Sequence, residues 1–148
     1  MPSAHTELYL HIVWATHRRH PIITPELQPR IYGAIADQCR KLKADIIAIG
    51  GIEDHAHVLL RTPPTVSVAD LARQMKGASS HLVNQVAGAR SFKWQDGYGA
   101  FSISRSIVPR VRAYVVDQER HHRDGTLSPA FELTNPPPTL TRRLARPL

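Results

Sequence analysis

Apolar positions along this chain fall in short β-prone runs at four places and recur at helical spacing at three. Tyr9-Leu10-His11-Ile12-Val13-Trp14-Ala15-Thr16 reads as a first strand, rich in β-branched and aromatic residues. Thr24-Pro25-Glu26 then marks a helix start, with Thr24 able to cap, Pro25 suited to the first helical position and Glu26 favoured at the positive end of the dipole. Leu27, Ile31, Ala34, Ile35 and Leu42 recur at the spacing of one helix face. Asp45 to Ile52 gives a second strand and His55 to Arg61 a third; the connection between them is short enough to demand an antiparallel hairpin.

Thr62-Pro63-Pro64 ends the third strand, and Ser67 with Asp70 three residues on resembles a capping box. Val68, Leu71, Ala72, Met75, Leu82, Val83 and Val86 form the apolar side of a second helix, whose other side carries Arg73, Lys76, Ser79, Ser80 and His81. Gly88 to Gly97 reads as a loop and Tyr98 to Ser104 as a fourth strand. Ser106 can cap a third helix, with Pro109 in its first turn, running through Val111, Tyr114, Val115 and Gln118 to about His122. The order β-α-β-β-α-β-α predicts an α+β, ferredoxin-like (RRM-like) fold, an antiparallel sheet with helices on one face. Residues 1–125 read as one domain, and residues 126–148 as an extended tail containing Asn135-Pro136-Pro137-Pro138 and Arg142, Arg143 and Arg146.

Composition narrows the class. The 148 residues suit one domain with a sizeable core, and 42% hydrophobic with 21% charged residues is the balance of an ordinary globular protein. No apolar run reaches the roughly 18 residues a membrane span needs. Met1 to Glu7 lacks the basic-then-apolar layout of a secretory signal, and the lone Cys39 excludes an internal disulfide, so a cytoplasmic protein is expected. A net charge of +7 points to a polyanionic partner, usually nucleic acid.

The candidate chemistry centres on Asp54-His55-Ala56-His57-Val58. Side chains alternate along a strand, so His55 and His57 share one face while Ala56 and Val58 take the other, and two imidazoles can reach one divalent ion. Tyr114 and Gln118, four apart on a helix, present a phenol and an amide oxygen to one point. Two imidazoles and a carboxamide suit Mg²⁺ or Mn²⁺ with positions left open for phosphate, although histidine also suits zinc. Each signal has an ordinary explanation. His-x-His on a strand is more often structural than metal-binding, Tyr-x-x-x-Gln is commoner as packing, and Arg73 with Lys76 would usually be a solvated helix face. His121-His122 could simply occupy a helix C-terminus, where positive charge is favourable.

Taken together the blocks resemble the single-tyrosine HUH transposases, the group of insertion-sequence (IS200-like) and REP-associated tyrosine transposases. The resemblance rests on Tyr9 to Trp14, Asp54 to Leu60, Met75 to Ser80, Trp94 to Ser102 and Tyr114 to His122, and covers roughly residues 5 to 123. It implies that His55 and His57 bind a catalytic divalent metal, that Tyr114 is the nucleophile and that Gln118 is a third ligand. It further implies cleavage and rejoining of single-stranded DNA with hairpin structure through a phosphotyrosine link, by a homodimer in which one subunit's tyrosine helix can complete the other's site. Arg73, Lys76, Ser79 and Ser80, with Arg18 and Arg19 of the basic loop after the first strand, are the candidate DNA contacts. The tail departs from the family pattern, since Thr126-Leu127-Ser128-Pro129 and a proline-rich stretch stand where relatives often continue with an acidic helix.

Two other classes compete. A ferredoxin-like sheet with a basic surface also suits a non-catalytic single-stranded nucleic-acid-binding module, although no aromatic-rich signature of that kind lies on the strands. A metal-dependent hydrolase would carry a longer histidine and aspartate run than one followed directly by Val58-Leu59-Leu60.

Overall fold

The computed structural model describes residues 3–87 and 92–134. Its four strands are β1 (Tyr9–Ala15), β2 (Asp45–Ile52), β3 (His55–Arg61) and β4 (Gly99–Ile103). They form one sheet in the order β2-β3-β1-β4, every neighbour antiparallel, which is the ferredoxin-like arrangement expected. The long helices are α1 (Gln28–Lys41) and α2 (Val68–Ala87), followed after β4 by α3 (Val108–Val116) and α4 (Gln118–Asp124).

Alternation along the strands sorts the sheet into two faces. Ile12 and Trp14 of β1 and Ala56, Val58 and Leu60 of β3 point to one face, where Ile31, Ile35 and Cys39 of α1 and Leu71, Met75 and Val83 of α2 complete the main core. Cys39 is the core filler its helical position implied, its thiol 3.5 Å from the Met75 sulfur. The two helices inside the βαββαβ unit therefore share one face, as expected. The final helical segment covers the opposite face, where Val111 and Val115 of α3 pack on Ala48 and Leu59. That face could not stay bare, since it is apolar at Leu59 and Ile103. β2 approaches α3 so closely that a Cβ added at Gly50 would overlap the Val115 carbonyl.

Two boundaries differ from the expectation. Thr24 caps a turn rather than the helix: its hydroxyl and carbonyl both accept from Leu27 N–H, and α1 begins at Gln28 with Pro29 in its first turn. The third helix is interrupted, because Asp117 leaves helical geometry at φ −103° and ψ 27°, so Tyr114 lies on α3 and Gln118 opens α4. Ser106 makes no cap and stands in a 3-10 turn, Arg105–Ile107. The capping box holds at α2, where Ser67 Oγ accepts from Asp70 N–H at 3.0 Å.

The described part of the tail is not a free extension. Residues Pro129–Glu132 form a 3-10 turn, and Phe131 packs into the cluster on the α3 face. Gly99 allows this, because a side chain there would meet the Leu133 carbonyl. The proline run and the arginines Arg142, Arg143 and Arg146 lie outside the described residues.

Candidate active site

His55 and His57 both point from β3 to the face covered by α3 and α4, and both are fully enclosed. A histidine can offer one ring nitrogen to an ion only if the other carries its proton, usually into a fixed acceptor. Each ring has such a partner. Nδ1 of His55 lies 2.7 Å from Asp54 Oδ1, and Nδ1 of His57 lies 2.8 Å from Nε2 of His11 on β1. Both Nε2 atoms are left facing the Glu132 carboxylate.

Around the two rings the helices and the tail supply further donors. Gln118 Oε1 lies 3.2 Å from His55 Nε2, and Nε2 of His122, one turn further along α4, is also 3.2 Å from it. Glu132 Oε2 is 3.2 Å from His57 Nε2 and 3.7 Å from His55 Nε2. Octahedral Mg²⁺ with bonds of roughly 2.0–2.1 Å sets neighbouring ligand atoms about 3 Å apart, and tetrahedral zinc sets them about 3.4 Å apart. These separations match the edges of a coordination shell as well as they match hydrogen bonds. The fit has a second sign, since His57 Nε2 is buried with no hydrogen-bond partner among the described residues despite its contact with Glu132. Among the described residues, the group whose ligand atoms all lie within 4.8 Å of one another is His55, His122 and Glu132; His57 stands outside it and touches it through Glu132. Burial, as the leading cause, lowers the basicity of His57 and of His122, which keeps lone pairs available for a cation.

Tyr114 stands at the rim of this group. Its ring is 6.0 Å from that of His57, edge to face, and Phe131 covers it from the tail. Its hydroxyl donates to Glu132 Oε1 at 2.6 Å and accepts from Ser128 N–H at 3.0 Å. Burial first, and then the Glu132 carboxylate, push the phenol up to about 12, while contacts with His57 and with the phenol draw Glu132 down to about 2 against the cost of its own burial. In this arrangement the proton stays on the phenol. The phenol sits beside its own chain's histidine pair, a cis placement.

The structure brings His55, His57, Tyr114 and Gln118 together. Gln118 reaches the others despite the helix break, its Nε2 donating back to the Tyr114 carbonyl at 3.1 Å. His11, Asp54, His122 and Glu132 were not among the expected site residues. His122 was signalled, because 114, 118 and 122 form one stripe at a spacing of four. Glu132 had no local signal, since it arrives by a turn in the tail.

The expected DNA contacts divide. Arg18, Arg19 and Arg73 are exposed, and Arg19 leans toward Asp54 at 4.0 Å. Arg18 and Arg19 take left-handed backbone angles, φ 55° and 54°, in a tight turn after β1. Ser80 lines a cleft of about 380 Å³ between α2 and the loop 92–98, beside Arg73, Lys93, Trp94 and Tyr98. Ser79, by contrast, does not reach the surface: it is fully buried, and its hydroxyl accepts from Trp94 Nε1 at 2.9 Å and donates to the Met75 carbonyl. Lys76 spends its ammonium on the carbonyls of Gln95, Asp96 and Gly97 at 2.7, 3.2 and 3.1 Å, so it clamps the loop.

Comparison with known proteins agrees with this architecture. The family model described as "Transposase IS200 like" matches residues 4–118. Transposases for insertion sequence element IS200 from Salmonella typhimurium and Salmonella typhi are each 25% identical over 121 residues, 78% of this chain and 79% of theirs. Among solved structures, a candidate transposase from Deinococcus radiodurans superposes with a TM-score of 0.62 at 20% identity, over 78% of this chain and 95% of its own. A REP-associated tyrosine transposase bound to a REP hairpin gives 0.59 at 17% identity, over 86% and 76%. These structural likenesses establish the fold. No described helix is long and apolar enough to cross a membrane.

Proposed function

Because the chain belongs to the IS200-like transposase family, we propose that it cuts and rejoins single-stranded DNA through a covalent link to Tyr114. The observation that carries this reading is the position of the Tyr114 hydroxyl, one carboxylate away from two buried imidazoles that both present Nε2. His55 and His57 would hold a divalent ion, Mg²⁺ or Mn²⁺, with Gln118 as third ligand and His122 and Glu132 within reach. Bound there, the ion would draw charge from a non-bridging phosphate oxygen and favour in-line displacement.

Tyr114 Oη attacks the phosphorus of a phosphodiester, the bond to the 3′ oxygen breaks, and that oxygen leaves as a 3′-hydroxyl. The protein retains the 5′ phosphate as a phosphotyrosine. A second 3′-hydroxyl reverses the step, so strands are exchanged with no external energy source. Glu132 accepts the hydrogen bond of the phenol and holds its proton on Oη until attack; the proton the phenol loses is balanced by the one the 3′ oxygen gains. Arg18, Arg19 and Arg73 are exposed and Ser80 lines the α2 cleft, which supports them as the proposed DNA contacts, and DNA that folds into hairpins is the proposed substrate, by analogy with the hairpin-bound relative. The protein is proposed to act as a homodimer; β4, at one edge of the sheet, is a strand a second copy could extend.

The test is incubation of labelled single-stranded hairpins, drawn from sequence flanking the gene, with Mg²⁺ or Mn²⁺, followed by a denaturing protein gel. Label should travel with the wild type and with neither Tyr114→Phe nor His57→Ala. Retarded DNA with no adduct would favour a binding module, and cleavage with no adduct a hydrolase.

A further inference from the structure

His11 is a fully buried histidine in the first strand, away from the His-x-His motif. Its ring stacks on that of His57 with centroids 5.0 Å apart and planes at 25°, and Phe101 and Phe131 enclose it. Packing alone would be met by any flat apolar ring. Yet a buried imidazole with an unpartnered nitrogen is costly, and Nδ1 of His11 has no hydrogen-bond partner among the described residues. Something other than packing must account for an imidazole here.

The account lies in the shared hydrogen bond. Between His57 Nδ1 and His11 Nε2, 2.8 Å apart, there is room for one proton. If it belongs to His11, then His57 must carry its own proton on Nε2 and has no lone pair to give the metal. If it belongs to His57, Nδ1–H donates to His11, and Nε2 of His57 carries a lone pair toward the metal site, beside Glu132. His11 then keeps its own proton on the unpartnered Nδ1. Asp54 performs the same service for His55.

We infer that His11 is a positioning residue that accepts the Nδ1 proton of His57 and so fixes the tautomer and ring plane in which His57 can ligate the metal. The inference rests on the metal site proposed above. It predicts that an acceptor at position 11, and not a ring as such, sets the strength of ion binding.

Mn²⁺ affinity measured by calorimetry on wild type, His11→Phe and His11→Gln tests it, alongside ¹⁵N histidine spectra of the wild type loaded with Zn²⁺. Loss of an orienting partner ordinarily weakens metal binding about 10–100-fold. His11→Phe, which keeps a ring but offers no acceptor, should show that loss, and His11→Gln, whose amide oxygen can accept, should recover most of it. The loaded wild type should show His57 protonated on Nδ1. Equal Mn²⁺ affinity in wild type and His11→Phe, or a proton on His57 Nε2 in the loaded protein, would overturn the role given to His11 while leaving the metal site intact. Wild type that binds no Mn²⁺ would overturn the metal site, and this inference with it. Should His11→Phe fail to fold, the wild-type spectrum and His11→Gln still decide.

Discussion

Tyr114 and Glu132, eighteen residues apart in sequence, meet through a hydrogen bond of 2.6 Å that the phenol donates to the carboxylate. The same carboxylate touches His57 with its other oxygen, at 3.2 Å. A tail residue thus joins the Tyr114 phenol to the histidine pair. With the phenol near 12 and Glu132 near 2, the carboxylate restrains the proton rather than removing it.

Replacing Glu132 by Gln should lower the Tyr114 pKa from about 12 part of the way toward the 10.0 of a free phenol, because one of its causes is that carboxylate and the larger one, burial, remains. Ultraviolet titration of Glu132→Gln, with the Tyr114→Phe background subtracted, reads this directly. An unchanged titration would show that the carboxylate does not govern the phenol.

Gly99 offers a way to move the same contact without touching either partner. Gly99→Ala places a methyl group against the Leu133 carbonyl and should lift residues 131–134 from the sheet, at a cost of about 1–3 kcal/mol. The Tyr114 titration should shift in the same direction as in Glu132→Gln. Gly50→Ala should instead displace α3 through the Val115 carbonyl, lowering the denaturation midpoint and removing adduct formation together.

Acid should destabilise the protein in two overlapping stages. Burial holds His11 near 3 against 6.5 in the unfolded chain, so its contribution is full above pH 6.5 and is lost as the pH falls toward 3. His57 acts in the same direction. Glu132, held near 2 against 4.5, adds a second loss between pH 4.5 and 2. The first stage is on the order of several kcal/mol. Urea midpoints measured from pH 7 to pH 4 should fall steeply in wild type and more gently in His11→Phe.

Lys76→Met should loosen the loop 92–98 by removing three charge-assisted hydrogen bonds, lowering stability by about 2–3 kcal/mol. Trp94, the buried tryptophan of that loop, should report the change as a red shift in fluorescence. A weaker DNA interaction in this variant would then follow from loop disorder rather than from a lost phosphate contact. DNA binding lost with no shift would overturn the clamp reading.

Local pattern carried most of the fold. The strands β2 and β3 begin and end where their apolar runs and the Glu53-Asp54 turn place them, because a half-buried strand is written in the identity of its own residues. His55 and His57 share a face for the same local reason. Where the expectation slipped, at Gln28 and at Asp117, the competing conformations differ by one turn of helix, and backbone geometry decides between them.

The sequence by itself determined the two-faced sheet and the histidine pair, since each depends on spacing within one element, and it set Tyr114 four residues from Gln118. Only the tertiary structure decided that His11 backs His57, that Ser79 and Lys76 serve the interior and the loop, and that Glu132 enters the site. Those contacts join β1 to β3, α2 to its loop and the tail to α3. They depend on register and on chain reversal, and no periodicity within a segment encodes which residue of another segment will lie opposite it.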